Sequence, residues 1–248
     1  MIYWHGHDCF HRMPVDATVG GIAVVIDVLR ASTTIITALA QGAARVVPVA
    51  GVDDARRMAA EIGSSVLLGG ERGGVRVEGF DLGNSPLEYS PDRVRGRTIV
   101  ITTTNGTAAL HAVRDATEIL IGGIVNRSAV AEAVRGLAGD GRHVHLVCAG
   151  TDGVVSAEDV LAAGAILDAA DAAGGGDTLD PAAHAALAFF RRVASEGDVA
   201  AGLVAEFQRS PGGANLIALG MEADLPVAAA IDACAVVPRF DRASASLI

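Results

Sequence analysis

An apolar run that ends on charged residues is the first place in this chain where chemistry is expected. Ile22-Ala23-Val24-Val25-Ile26 gives way to Asp27-Val28-Leu29-Arg30-Ala31-Ser32-Thr33-Thr34. Such a run reads as a fully buried strand, and a carboxylate and a guanidinium at its end are costly unless they face a cleft with partners. Asp27 can ligate a divalent cation or act as a nucleophile, and Arg30 can clamp an oxyanion with paired N–H groups. An Asp–Arg pair that simply caps the turn is the plainer alternative. Ser32, Thr33 and Thr34 are N-cap candidates whose hydroxyls could equally serve a bound anion. A second exit has the same form, Ile99-Val100-Ile101-Thr102-Thr103-Thr104-Asn105-Gly106-Thr107. Its residues Thr104, Asn105, Gly106 and Thr107 have the strand-turn-helix placement of a phosphate cradle built from hydroxyl and N–H groups. Ligands of open α/β sheets collect at the carboxyl ends of the strands, so the two exits are expected to form one site.

Further polar groups stand at neighbouring exits. Gly69-Gly70-Glu71-Arg72-Gly73-Gly74 again sets an acid and an arginine after an apolar stretch. Glycines there let backbone approach a ligand, and they also simply make turns. In Gly79-Phe80-Asp81-Leu82-Gly83-Asn84-Ser85-Pro86 the residues Asp81, Asn84 and Ser85 offer hard oxygen ligands or hydrogen bonds, or an ordinary Asx-rich surface turn. Cys148-Ala149-Gly150-Thr151-Asp152-Gly153 closes another predicted strand, and Ser156-Ala157-Glu158-Asp159 opens a helix close to capping-box form. The helix dipole favours Glu158 and Asp159 there without any function; they are also candidate metal ligands or a general base. Asn126-Arg127 reads as a helix cap. His5, His7 and His11 with Asp8 and Cys9 fit no zinc spacing and read as structural or surface residues.

The elements that must position these groups alternate. Strands are predicted at 22–28, 44–49 and 66–69 with helices at 32–41 and 53–62. A second series places strands at 98–102, 118–122 and 143–148 and helices at 105–114 and 127–138. This is an α/β rhythm with a largely parallel sheet. The Gly-, Pro- and Asp-rich segment 70–96 between the two series has the length of a functional loop or insertion. After Cys148 the chain turns helix-rich and Ala-rich to about 221, with a turn at Gly174-Gly175-Gly176 and a last short strand near 234–237. The segments 25–49 and 100–122 share the order strand, Thr/Ser turn, helix, strand, which is open to internal duplication or to the ordinary repetition of βα units. The expectation is one α/β domain over 1–248, with sub-lobes 1–97 and 98–248 as a subdivision.

Composition supports this class and excludes others. The 248 residues are 51% hydrophobic but only 4% aromatic, the palette of a helix-covered parallel sheet. Mean hydropathy is +0.41, yet charges or glycines interrupt every long apolar stretch, so no membrane-spanning segment is expected. The first residues have neither a basic start nor an apolar run, which points to a cytoplasmic protein. Cys9, Cys148 and Cys234 form no disulfide framework. A net charge of −10 argues against nucleic acid as a partner. The sequence contains no lysine, which removes a Walker A lysine and any Schiff-base mechanism and leaves arginine as the cationic clamp. A small anionic phosphorylated substrate is the first expectation, and the Ala-rich helices after 157 offer a face for a homodimer.

Ile26-Asp27-Val28-Leu29-Arg30-Ala31-Ser32-Thr33, Gly70-Glu71-Arg72, Gly79–Pro86 and Thr102–Thr107, in this order, resemble the 2-phosphosulfolactate phosphatase family, and Cys148-Ala149-Gly150 with Glu158–Gly164 extends the match over roughly 22–165. The resemblance implies a layered α/β/α fold. It also implies a Mg2+-dependent phosphomonoesterase that cleaves 2-phospho-3-sulfolactate to 3-sulfolactate and phosphate, a step of coenzyme M biosynthesis. Other phosphatase chemistries lack their residues. Leu29 stands where a haloacid-dehalogenase-type acid needs a second aspartate, Val154 stands where a cysteine phosphatase built on Cys148 needs arginine, and no Arg-His-Gly triplet occurs. What remains is a carboxylate-and-metal site with Asp27, Glu71 and Asp81 as magnesium ligands. Arg30, Ser32, Thr33 and Thr104–Thr107 are then expected to hold the phosphoryl oxygens, Arg72, Asn84 and Ser85 the other anionic groups, and Glu158 to activate water unless Asp27 attacks phosphorus itself. The rivals are a nicotinamide-dependent oxidoreductase of a small hydroxy acid, against which the missing Gly-x-Gly-x-x-Gly counts, and a non-catalytic anion-binding protein.

Overall fold

The computed structural model describes residues 1–139, 141–174 and 177–248. Its strands in chain order are β1 (Tyr3–His7), β2 (Ile22–Ile26), β3 (Arg45–Pro48), β4 (Val66–Arg72), β5 (Val75–Arg76), β6 (Thr98–Thr102), β7 (Glu118–Gly122), β8 (His143–Cys148), β9 (Thr178–Leu179), β10 (Phe240–Asp241) and β11 (Ser246–Leu247). They form two sheets, ordered β7-β2-β8-β1-β9 and β10-β11-β3-β6-β4-β5. The first is parallel throughout, and the second is parallel across β3, β6 and β4 with antiparallel edges.

Side-chain alternation explains the layering. In β2, Ile22, Val24 and Ile26 enter one core, while Ala23 and Val25 enter another. A strand covered on both faces needs apolar residues at every position, and β2 is buried at every position. Helices Arg127–Ala138, Ala157–Ala172 and Pro181–Ser195 supply the first core through residues such as Val130, Ile166 and Phe190. Helices Ala31–Ala40 and Gly106–Ala112 fill the second, where Ile35, Ile36, Ala109 and Leu110 pack between the sheets against Val25, Ile121, Val46 and Ile99. Helix Val52–Ile62 covers the far side of the second sheet, with Ala55 packed with Val47 and Val100.

The α/β class and the parallel order follow the sequence pattern, with two sheets in place of one. Strand β2 lies in the first sheet and leads through helix Ala31–Ala40 to β3 in the second; β6 lies in the second and leads through helix Gly106–Ala112 back to β7 in the first. The two similar segments thus run in opposite directions across a shared helix layer, and both sheets draw strands from either side of residue 97. This crossing turns both helix N-termini toward one place.

Two departures from the predicted elements have plain causes. Residues 234–237 form no strand: the Cys234 N–H donates to the Val125 carbonyl and Asn126 Nδ2 to the Val236 carbonyl, so loop contacts hold this segment, and the closing strands come at β10 and β11. Strand β1 carries too little apolar character to stand out, because Tyr3, His5 and His7 share one face and Gly6 is forced by close packing, a Cβ there lying 2.7 Å from the Ala183 nitrogen. Gly175 and Gly176 of the predicted turn lie outside the described residues. Among the described residues no helix is long and apolar enough to cross a membrane.

The unpredicted strand builds a ladder of rings. Tyr3, His143, His5, His145 and His7 stack in sequence with centroids 4.8–5.3 Å apart, and imidazole pairs hydrogen-bond at 2.8 Å (His5–His143) and 3.0 Å (His7–His145). Each bond needs a neutral ring as acceptor. Burial, followed by the neighbouring His7, His5 and His143, lowers the His145 pKa to about 4. The unfolded chain then takes up this proton first as pH falls from about 6.5, so the His145 contribution to stability is lost between about 6.5 and 4. Thermal denaturation should therefore show His145→Asn gaining on the wild type as pH falls through that interval; a gap independent of pH would refute it.

Candidate active site

Both predicted strand exits open into one cleft of about 170 Å3, lined by Asp27, Arg30, Glu71, Asn84, Thr104 and Asn105 together with Thr103, Thr151, Asp152, Gly212 and Asn215. The helix N-termini meet at Gly106, where a Cβ would lie 2.6 Å from the Ala31 Cβ and 2.7 Å from Asp27 Oδ2. Only glycine allows that approach. Asp27 Oδ1 accepts the Ala31 N–H at 3.1 Å, and Ser32 Oγ accepts the Asp27 N–H at 2.9 Å. The helix is thus capped from Asp27, the turn-capping role weighed for it, while no donor reaches its Oδ2 among the described residues.

Two acids brace the cleft walls and a third is buried behind one of them. Asp159 Oδ1 accepts from Val28 N–H at 2.8 Å and Oδ2 from Gly150 N–H at 2.9 Å, tying the exits of β2 and β8 together. Glu71 Oε1 accepts from the N–H and hydroxyl of Thr104 at 2.8 and 3.1 Å, and Oε2 from Gly74 N–H at 2.8 Å, which ties β4 to the turn after β6. Glu158 is buried immediately behind Gly212: a Cβ on that glycine would lie 2.7 Å from Glu158 Oε1, and Glu158 Oε2 has no hydrogen-bond partner. Ser156 does not cap its helix through its side chain; its hydroxyl pairs instead with Thr151 Oγ1 at 2.8 Å. Asn84 Oδ1 is likewise buried without a partner.

Other predicted site residues are used differently. Asp81 is exposed and does not line the cleft; its Oδ2 accepts the Leu68 N–H at 2.8 Å, which ties its loop to β4 rather than closing a local Asx turn. Asp27, Glu71 and Asp81 are therefore not assembled as one ligand set, and no three His, Cys, Asp or Glu residues group as a metal cluster among the described residues. Arg72 also lies outside the cleft lining, donating to the Glu71 carbonyl at 2.6 Å and Thr102 Oγ1 at 3.0 Å. The Thr33 and Thr107 hydroxyls donate to the Val28 and Thr103 carbonyls, and the Ser85 hydroxyl to Asp224 Oδ1. These hydroxyls, with that of Ser32, shape the exits; the cleft is faced by Thr103, Thr104, Asn105 and Thr151. Asn126 accepts from Gly123 N–H and donates to two carbonyls, a structural role. Asp152, Asn215 and Asp224 carry no local pattern that marks them as site residues; the glycines of Pro211-Gly212-Gly213, which open helix Pro211–Ala218 at the cleft, are the signal that was there to read.

Electrostatics concentrate on the acids. Burial pushes the Asp27 pKa up to about 7, helped by Glu71 and Glu158 and opposed by the Ala31 N–H and, least, by Arg30. Burial likewise raises Glu158, which the Ser210 and Ser156 hydroxyls partly offset, and raises Asp159 well above the usual carboxylate range, with Glu158 and Asp27 adding to the effect. Carboxylates gathered in a dry place with oxygen lone pairs to spare suit a divalent cation. Asp27 Oδ2, which takes no donor, and Glu71 Oε2, which takes one, are the carboxylate oxygens of the cleft that would hold one.

The chain is a layered α/β protein whose acidic groups, hydroxyls and an arginine converge at the ends of parallel strands, where such folds take small ligands. The family model of 2-phosphosulpholactate phosphatase matches residues 10–243. Relatives named as probable 2-phosphosulfolactate phosphatases include those of Symbiobacterium thermophilum, 39% identical over 95% of this chain and 97% of the relative, and Deinococcus radiodurans, 42% identical over 88% and 86%. The Clostridium acetobutylicum relative is 48% identical over a shorter match, 59% of this chain and 61% of the relative. The chain belongs to the 2-phosphosulfolactate phosphatase family.

The raised Asp27 pKa carries a sign. The folded protein binds this proton more tightly than the unfolded chain, so metal-free stability is lost as pH rises from about 4 through about 7. Asp27→Asn removes that loss, and in EDTA its advantage over wild type should grow across this interval to at most about 4 kcal/mol at pH 8. Thermal melts at pH 4.5, 6 and 8 check it; an advantage that shrinks with rising pH contradicts the assignment.

Proposed function

We propose that the protein hydrolyses 2-phospho-3-sulfolactate to 3-sulfolactate and phosphate, a reaction of the coenzyme M biosynthesis type, with Mg2+ held by Asp27 and Glu71. The observation that carries this reading is the buried Asp27 carboxylate, one oxygen free of donors, beside Arg30 and Glu71 in the one cleft where both strand exits meet. When bound, the cation offsets charge on the phosphoryl oxygens and orients the ester. Every other role falls to the chain. Phosphoryl transfer through a loose transition state rewards positioning and charge more than covalent chemistry. Arg30 meets the phosphoryl group from one wall and Asn105 from the other, where Thr104, its N–H and hydroxyl donating to Glu71, holds the turn in place. Asn84, on the cleft wall, offers its amide N–H groups to a second anionic group of the substrate.

Glu158 is the general base in this reading. Its raised pKa makes it a stronger proton acceptor near neutrality. The hydroxyls of Thr151, on the cleft wall, and Ser156, beside Glu158, stand 2.8 Å apart and span the distance between them. Phosphate release from a panel of 2-phospho acids, with and without EDTA, tests the assignment. The sulfonated substrate should turn over fastest and EDTA should abolish release; release unaffected by EDTA sinks the cation. Asp27→Asn should lose more than about 1.4 kcal/mol of transition-state stabilisation, a factor of ten. Glu158→Gln should lower kcat about 100-fold and remove the lower pH limb of the profile.

A further inference from the structure

Asp224 ends a line of contacts that begins at Arg30. Its Oδ2 accepts from Arg30 Nη1 at 2.8 Å and its Oδ1 from Ser85 Oγ at 2.6 Å. The Arg30 and Asp224 side chains are only 3% and 2% exposed. Arg30 Nη2 donates to the Gly74 carbonyl at 2.7 Å, and Nη1 also approaches Met221 Sδ at 3.0 Å. A buried ion pair adds little net stability over an apolar pair of the same volume, so stability alone does not explain it.

Placement supplies an explanation. Arg30 follows Asp27 by three residues on one turn, and both line the cleft with Glu71. A guanidinium without another anchor would settle on those two carboxylates and occupy the oxygens placed for a cation. Asp224, carried by the C-terminal helix Asp224–Ala228, is the competing anchor. Through Ser85 the same carboxylate also fixes the segment that bears Asn84, which Thr34 Oγ1 holds from the other side by donating to the Asn84 carbonyl at 2.7 Å.

We propose that Asp224 is a positioning residue for phosphoryl transfer, holding the Arg30 guanidinium at the cleft wall and off Asp27 so that arginine and cation act on the substrate as separate charges. The inference rests on the reading of Arg30 as the phosphate clamp. Asp224→Asn, isosteric and still able to accept from Ser85, should lower kcat/KM for 2-phospho-3-sulfolactate about 100-fold, the scale of a small misplacement. Calorimetry with MgCl2 alone should show affinity falling about tenfold, a change that a purely structural role would not produce. Wild-type kcat/KM and Mg2+ affinity in that variant overturn the proposal.

A second pair of variants guards against a folding defect, because Arg30→Ala with Asp224→Ala leaves no buried charge unpaired. Guanidinium ion should restore at least tenfold of the lost activity to Arg30→Ala and none to the double variant. Equal rescue in both backgrounds, or rescue in neither, counts against an anchoring role for Asp224. Arg30→Ala at wild-type kcat/KM would instead show that the phosphate-clamp reading has failed, and the inference with it.

Discussion

The structure turns on one contact, the meeting of two helix N-termini at Gly106 directly over the Asp27 carboxylate. A Cβ at Gly106 would collide with both Ala31 and Asp27 Oδ2, so the two strand exits close to this distance because glycine permits it. Closing them removes Asp27 from water, and the loss of hydration is the first cause of its raised pKa. Once that carboxylate is dry, its surroundings are constrained. The Ala31 N–H holds it by one oxygen, and other acids sit close enough to resist a second negative charge. A site arranged this way is most negative when Asp27 is ionised.

The same contact depends on the crossing of the chain between sheets. Helices Ala31–Ala40 and Gly106–Ala112 occupy the layer between the sheets, one entering it from each sheet. Their apolar faces, with Ile35, Ile36, Ala109 and Leu110, bury themselves in the inter-sheet core and leave their first turns at its rim. Core packing therefore sets the position of the cleft, and polar braces set its detail. Asp159 fixes two strand exits through backbone N–H groups, and Glu71 fixes two more. Each spends lone pairs on structure that a surface carboxylate would spend on water.

Much of this was legible in the sequence because it is local. The buried runs at 22–26 and 98–102, the helices after them, and the gathering of Asp27, Arg30, Glu71, Asn84, Thr104 and Asn105 follow from strand exits read one at a time. The roles of Asp81 and Arg72 were not separable from sequence, since a loop whose polar side chains tie it to neighbouring strands and one whose side chains hold a ligand have the same composition. The hydroxyls of Ser32, Thr33 and Thr107 illustrate the same competition, their local backbone partners winning over an external anion. Asp224 was invisible for another reason. Its partners Arg30 and Ser85 lie far away in the chain, and no local pattern marks a pairing made only by tertiary structure. The second sheet escaped notice likewise, because periodicity reports that a strand is buried on both faces and not which strands it joins.

The order of strands also bears on how the chain must be assembled during synthesis. Strand β2 lies inside the first sheet between β7 and β8, and Ile22 pairs with Glu118 on one side and Val144 on the other. At about 5–20 residues per second a ribosome takes on the order of ten seconds to make those neighbours after β2 has emerged. Throughout that wait an apolar β-branched segment, Ile22–Ile26, has both edges unpaired, the state in which strands seek pairing with other chains. A nascent chain of this topology needs its early strand sheltered, and helix Ala31–Ala40, complete soon after β2 and packed with Ala23 and Val25 in the inter-sheet core, is the first cover available to it.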